Sequence, residues 1–90
     1  MTRLEEFKTT DLELSAALMS ASGKKPLSIT PGRELVEFIF PLTQEVRDLV
    51  FQYSAETLCL EVRRLAQQRS WLYRQTREVA RRGQEVRYDP

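Results

Sequence analysis

Ninety residues, 41% hydrophobic and 30% charged, suit one small globular domain rather than a disordered or membrane-spanning chain. The absence of histidine and the single cysteine, Cys59, exclude a zinc site and an internal disulfide, and fit a reducing cytoplasm. The net charge of +1 hides a split: residues 1–60 hold six Lys/Arg against nine Asp/Glu, whereas residues 61–90 hold eight Arg against four Asp/Glu.

Residues 1–9 form a lead-in in which Leu4 and Phe7, set among threonines, suit a short strand. This start carries no apolar core of a signal peptide. Thr10 to Glu13 has the spacing of a capping box: Thr10 bonds the Glu13 amide and the Glu13 side chain returns to Thr10. A helix over 10–22 follows. Leu14, Ala17, Leu18 and Ala21 share one face, broadened by Leu12, Ala16 and Met19. Gly23 is the expected stop.

A hairpin comes next. Leu27 and Ile29 alternate with polar residues, Pro31-Gly32 supplies a type II turn, and the return strand runs from Leu35 to Phe40. Val36, Phe38 and Phe40 form its core face, and Pro41 ends it. Thr43 then caps a helix over 43–53, with Val46, Leu49, Val50 and Tyr53 at helical spacing.

The last third reads as one arginine-rich amphipathic helix, capped by Ser54 and running to Arg82 ahead of Gly83. Leu58, Val62, Leu65, Arg69, Leu72, Thr76 and Val79 follow one another at alternating spacings of four and three, the seam of a helix that buries one stripe. At ~1.5 Å per residue this helix would be about 43 Å long. A domain of this size has a radius of gyration of roughly 12 Å. The helix therefore breaks, near Gln68–Ser70, or overhangs the body. An overhanging seam wants a partner, and the simplest is a second copy of the same helix across a two-fold axis. On that reading Leu65, Arg69, Leu72, Tyr73, Thr76 and Val79 line an interface. On the plainer reading, the seam stops being buried after Leu65. Residues 83–90 read as a polar, mobile tail, though Val86 and Tyr88 alternate as a docking strand would.

The opposite face of the helix gathers Arg63, Arg74, Arg77 and Arg81 in a narrow arc, with Trp71 flanking it. Arginine with an aromatic on one helical face suits phosphate contact and base stacking. A solvated charged face is the blander alternative. No catalytic constellation accompanies these residues. The three glycines stand apart at 23, 32 and 83, so no phosphate loop is present. Cys59 lacks an activating base and reads as a small apolar side chain buried beside the seam. No enzyme activity, metal, cofactor or small-molecule substrate is expected.

Phe7-Lys8-Thr9-Thr10-Asp11-Leu12, the helix with Ala16-Ala17-Leu18, the hairpin and Val36-Glu37-Phe38-Ile39-Phe40 together resemble a family of short bacterial and phage proteins classed as a domain of unknown function. The resemblance covers about residues 5–75. It implies a small α+β fold and a mobile-element origin, and it supplies no activity. Pro31-Gly32 falls in a region that varies in the family, and the tail beyond Arg82 has no counterpart there.

The expectation is therefore an α+β domain over residues 1–82. It has a small antiparallel sheet, made of the hairpin and an N-terminal strand, packed by helices and completed by a long C-terminal amphipathic helix. The expected function is a cytoplasmic, non-enzymatic protein–protein interaction module, a homodimer through its C-terminal helix. The alternative is a nucleic-acid-binding accessory protein using the arginine face.

Overall fold

The computed structural model describes residues 5–88. Leu4 of the expected lead-in strand and the last two residues of the tail lie outside the described residues. The chain is an α+β fold with three helices and one four-stranded antiparallel sheet. Strand β1 (Glu6–Thr9) leads to helix α1 (Leu12–Ser22). Strands β2 (Ser28–Thr30) and β3 (Glu37–Pro41) follow, then helices α2 (Gln44–Ser54) and α3 (Val62–Arg82), and finally β4 (Val86–Arg87).

The strands lie in the order β1-β3-β2-β4. Phe7 faces Phe40, Thr9 and Ile29 both flank Phe38, and Val86 pairs with Ile29. These cross-strand partners share one pleated face, and Phe7, Ile29, Phe38, Phe40 and Val86 all pack into the core. The aromatic strand thus buries its Phe38 face as its alternation predicts. The sheet has one strand more than the hairpin and N-terminal strand of the sequence reading. The fourth comes from the tail, which is docked rather than mobile through Val86–Tyr88: the Tyr88 N–H donates to the Leu27 carbonyl at 2.9 Å.

Helix α1 begins one residue later than the capping box implied. Asp11 is the cap, and its carboxylate accepts from the Leu14 N–H at 3.1 Å. Thr9 Oγ1 in turn accepts from the Asp11 N–H at 3.1 Å. Glu13 is then free of any capping duty and meets Arg69 of α3 instead. Gly23 ends the helix in the left-handed region at φ 72°, its N–H donating to Met19. Every residue from Leu14 to Ser20 is buried. α1 touches both α2 and α3, which barely meet each other, so it is the middle of the helical layer.

The loop between β2 and β3 spans six residues, 31–36, and is not the two-residue turn expected of Pro31-Gly32. Gly32 has no positive φ. Its role is close approach: a Cβ there would collide with the carbonyl oxygen of Leu35.

The largest correction concerns the long helix. α2 ends at Ser54, and seven residues, 55–61, separate it from α3. α2 closes with a Schellman motif: the Thr57 N–H donates to Gln52 and the Glu56 N–H to Tyr53. Glu56 occupies the left-handed position, at φ 60°, where glycine is the usual residue. α3 is then capped by Glu61, whose two carboxylate oxygens accept from the N–H groups of Arg63 at 3.0 Å and Arg64 at 2.8 Å. A negative side chain at that end also favours the helix dipole. α3 runs its 21 residues without a break at Gln68–Ser70 and ends at Gly83, φ 66°. Its length of about 31 Å fits within the 38 Å longest extent of the molecule. No part of it overhangs.

Glu56 holds a conformation that disfavours side chains by roughly 1–2 kcal/mol, while glycine loses roughly 0.5–1 kcal/mol more chain entropy on folding. Glu56→Gly is therefore expected to stabilise the protein by about 0.5–1 kcal/mol, read as a higher urea midpoint at unchanged slope. A lower midpoint would contradict the strain assigned to this residue.

Candidate functional site

The seam of α3 is spent inside the molecule. Leu72 and Val79 are 0% exposed and sit in the core beside Leu14, Leu18, Ile29 and Phe38. Leu65 packs against the same core, half-buried. Burial along the seam therefore deepens after Leu65, the reverse of the plainer sequence reading. Leu58 lies in the loop before α3, and Val62 is 78% exposed. Cys59 is also in that loop and exposed, not buried beside a seam.

Of the two polar residues of the seam, Arg69 has a partner within the chain. Arg69 turns to Glu13 on α1, with its Nη2 and Nε donating to one carboxylate oxygen at 2.8 and 3.1 Å. This pair is partly exposed and is worth no more than about 1 kcal/mol. Thr76 Oγ1 is buried and has no hydrogen-bond partner among the described residues. Arg69 needs no second chain to account for its position. Of the six residues expected to line an interface, only Tyr73 presents a large exposed surface, at 51%.

Two flanks of α3 show how it meets α1. Arg64 and Trp71 lie toward the C-terminal end of α1: the Arg64 guanidinium approaches Gly23, and the Lys25 ammonium sits 5.1 Å from the Trp71 ring centroid. Arg69, on the other flank, reaches Glu13 near the N-terminal end. α3 thus lies across α1 with its Leu72 face inward.

The face pointing away from the core is the arginine face. At ~100° per residue, Arg63, Ser70, Arg74, Arg77 and Arg81 fall within about 60°, centred opposite Leu72. All five are exposed. α3 carries seven arginines and one glutamate, Glu78. Glu78 is shared by Arg81 at 2.8 Å and Arg82 at 2.6 Å, and the hydrogen bond from Arg81 holds its carboxyl below the ordinary range. Among the described residues Arg63, Arg74 and Arg77 have no carboxylate within salt-bridge distance. Ala66, Gln67, Ser70 and Arg74 line an open depression of about 300 Å³ on this face. Its small residues leave the arginine side chains standing above a low floor.

Trp71 does not belong to this surface. Its ring lies 5.1 Å from that of Tyr88 at a tilt of 59°, and Lys25 sits over it. Tyr88 in turn donates its hydroxyl to Gln75 Oε1 at 2.6 Å, one turn further along α3. The aromatic that flanks the arginines on the open side is Tyr73, which the sequence reading places in an interface with a partner. On a helical wheel Tyr73 lies about 100° from Leu72 and about 120° from Val79, off their stripe.

A second depression of about 420 Å³ is lined by Tyr53, Glu56, Leu58 and Leu60, where the α2–α3 loop passes the end of α2. Burial raises the pKa of the Tyr53 hydroxyl, and the carboxylates of Asp11 and Glu13 raise it further. Phe51, on the same helix, is 72% exposed. No group of three His, Cys, Asp or Glu side chains among the described residues could hold a metal ion. No helix among them is long and apolar enough to cross a membrane.

Leu72→Ala is expected to lower stability by about 3 kcal/mol without altering oligomeric state, because the side chain fills the core of its own chain. Leu72→Asp should prevent folding. A folded Leu72→Asp monomer obtained from a larger wild-type species, seen by size exclusion with circular dichroism, would overturn this placement.

Burial pushes the Tyr88 hydroxyl up to about 12 from 10.0. A raised folded pKa means this stability is intact below pH 10, where the unfolded tyrosine is still protonated, and is lost as pH rises through about 12. Alkaline unfolding should steepen in that window, and Tyr88→Phe should flatten the steepening. Identical alkaline profiles for the two proteins would detach Tyr88 from the fold. Comparison with protein-family models, with curated proteins and with solved structures found no match to this chain.

Proposed function

We propose that this protein is a non-enzymatic nucleic-acid-binding accessory protein that contacts the phosphate backbone through the outer face of α3. The observation that carries this reading is the run Arg63, Arg74, Arg77 and Arg81 on the side of α3 opposite the buried Leu72. Three of these four lack a carboxylate partner among the described residues. Arginine in a solvated ion-pair lattice would be met by acids at helical spacing, and α3 offers Glu78 alone. A guanidinium presents a planar fork of donors that matches a phosphate.

Charge also weighs against pairing two copies of α3. With seven arginines and one glutamate each, two such helices laid together repel. The seam that would have drawn them together is occupied within the chain. A phosphate backbone meets the same helix attractively and releases counterions as it binds. Arg64 and Arg82 add to the field from the flank.

A protein partner is the second reading, and it is favoured by the exposed Phe51 and Val62 at either side of the α2–α3 loop. It uses different residues from the seam.

The test is fluorescence anisotropy with labelled DNA and RNA at low and at physiological salt. With three or four phosphate contacts, the slope of log affinity against log salt should be about −2 to −4. Arg74→Glu with Arg77→Glu should remove most of the affinity and reduce the magnitude of that slope by about 1 to 2. Absence of binding at low salt would sink the proposal and leave the protein-partner reading at Phe51 and Val62.

A further inference from the structure

We propose that the α3 surface takes single-stranded nucleic acid in preference to duplex, with Tyr73 stacking on an unpaired base. This rests on the phosphate-contacting reading of the arginine face and adds the class of strand that it selects. Tyr73 is half-exposed beside that face, and among the described residues its ring has no aromatic neighbour, unlike Trp71 and Tyr88, which cover each other. Helical side chains lean toward the N-terminal turn, which for Tyr73 is the turn of Arg69 and Ser70. Arg69 is drawn away to Glu13. Ser70 and, one turn further back, Ala66 are small and exposed. The ring is therefore left exposed, at 51%, on the side of Ser70 away from the depression that Ala66, Gln67, Ser70 and Arg74 line. Arg77, one turn on, and Arg74, the next residue, stand on the arginine side of it.

In a duplex the base faces are hidden in the stack, and an aromatic reaches one only by unstacking a step. A single strand offers its base faces without that cost. Guanidinium groups about one helical turn away would hold the flanking phosphates. Stacking on an unpaired base is tolerant of sequence, so the expected recognition is of strand type and not of sequence.

The experiment uses the full chain and four labelled probes of equal length: a thymine strand, an abasic strand of the same backbone, a duplex and polyglutamate. The wild type should bind the thymine strand about tenfold tighter than the abasic strand or the duplex. Tyr73→Ala should lower affinity for the thymine strand to the abasic level, with the salt slope unchanged, and should leave the abasic and duplex affinities as they were. Tyr73→Phe should retain the preference. Because Tyr73 lies outside the core, these variants should keep the wild-type circular dichroism. If Tyr73→Ala binds the thymine strand as the wild type does while Arg74→Glu with Arg77→Glu abolishes binding, the stacking inference fails and the phosphate reading survives. If polyglutamate binds as well as the thymine strand, or nothing binds at low salt, both fall.

Discussion

Between Leu14 and Ser20 helix α1 has no solvent-facing side, so each of its neighbours must fit a surface built largely from Ser15, Ala16, Ala17 and Ser20. Small side chains let other elements approach closely, and α2 and α3 both do so. Leu14, Leu18 and Met19 of α1 meet apolar side chains brought by its neighbours: Phe38, Phe40 and Ile29 from the sheet, Val46 from α2, Leu72 and Val79 from α3. Because α1 has no hydrophilic face to spare, α3 must present its apolar stripe to it. The arginines are on the outside for that reason. The orientation of the candidate site is thus inherited from a helix that contributes no residue to it.

Much of this was legible in the residues because the signals were local. Thr43 caps α2 as its type and place predict, with Oγ1 accepting from the Val46 N–H at 3.2 Å. Gly23 and Gly83 mark the ends of α1 and α3, and the alternation of Val36, Phe38 and Phe40 named the buried face of β3. The end of α2 was legible to within a residue, but the loop 55–61 was not, because Glu56 stands where glycine would have announced a turn and Glu61 caps where Ser, Thr, Asp or Asn would have announced a start. A third helix begun at Ser54, eight residues before Val62, was the consequence, and the overhang and the partner followed from it. Periodicity identified which stripe of α3 is buried. It carries no information on whether the covering surface belongs to the same chain. The arginine arc was legible as an arc, and its aromatic neighbour was misassigned, because Trp71 owes its position to Tyr88, seventeen residues away.

Trp71 and Tyr73 illustrate how two aromatics two residues apart take opposite roles. The helix places them on nearly opposite flanks. On one flank the returning tail covers Trp71 with Tyr88, and Lys25 completes the enclosure. On the other, Tyr73 stays 51% exposed. The difference lies in the topology of the sheet, since β4 docks on β2 and so passes the Trp71 side of α3. The sheet thus decides which aromatic remains open to a partner.

The placement of β4 also bears on how the chain reaches this state. Ile29 and Val86 are hydrogen-bonded neighbours 57 positions apart, and Phe7 and Phe40 are 33 apart. Only the β2–β3 pair joins strands that follow one another in sequence. Loop-closure entropy must be met before such distant pairs return any free energy, which slows folding relative to a helical bundle of equal size. A chain emerging N-terminus first would hold the β2 edge unpaired until Val86 arrived, and an unpaired edge is a template for the wrong strand. Three hydrophilic residues, Gly83, Gln84 and Glu85, are all that separate that last strand from α3. Once the helix has formed, the strand that must seal the sheet is already tethered beside it, and the slow search reduces to a short swing.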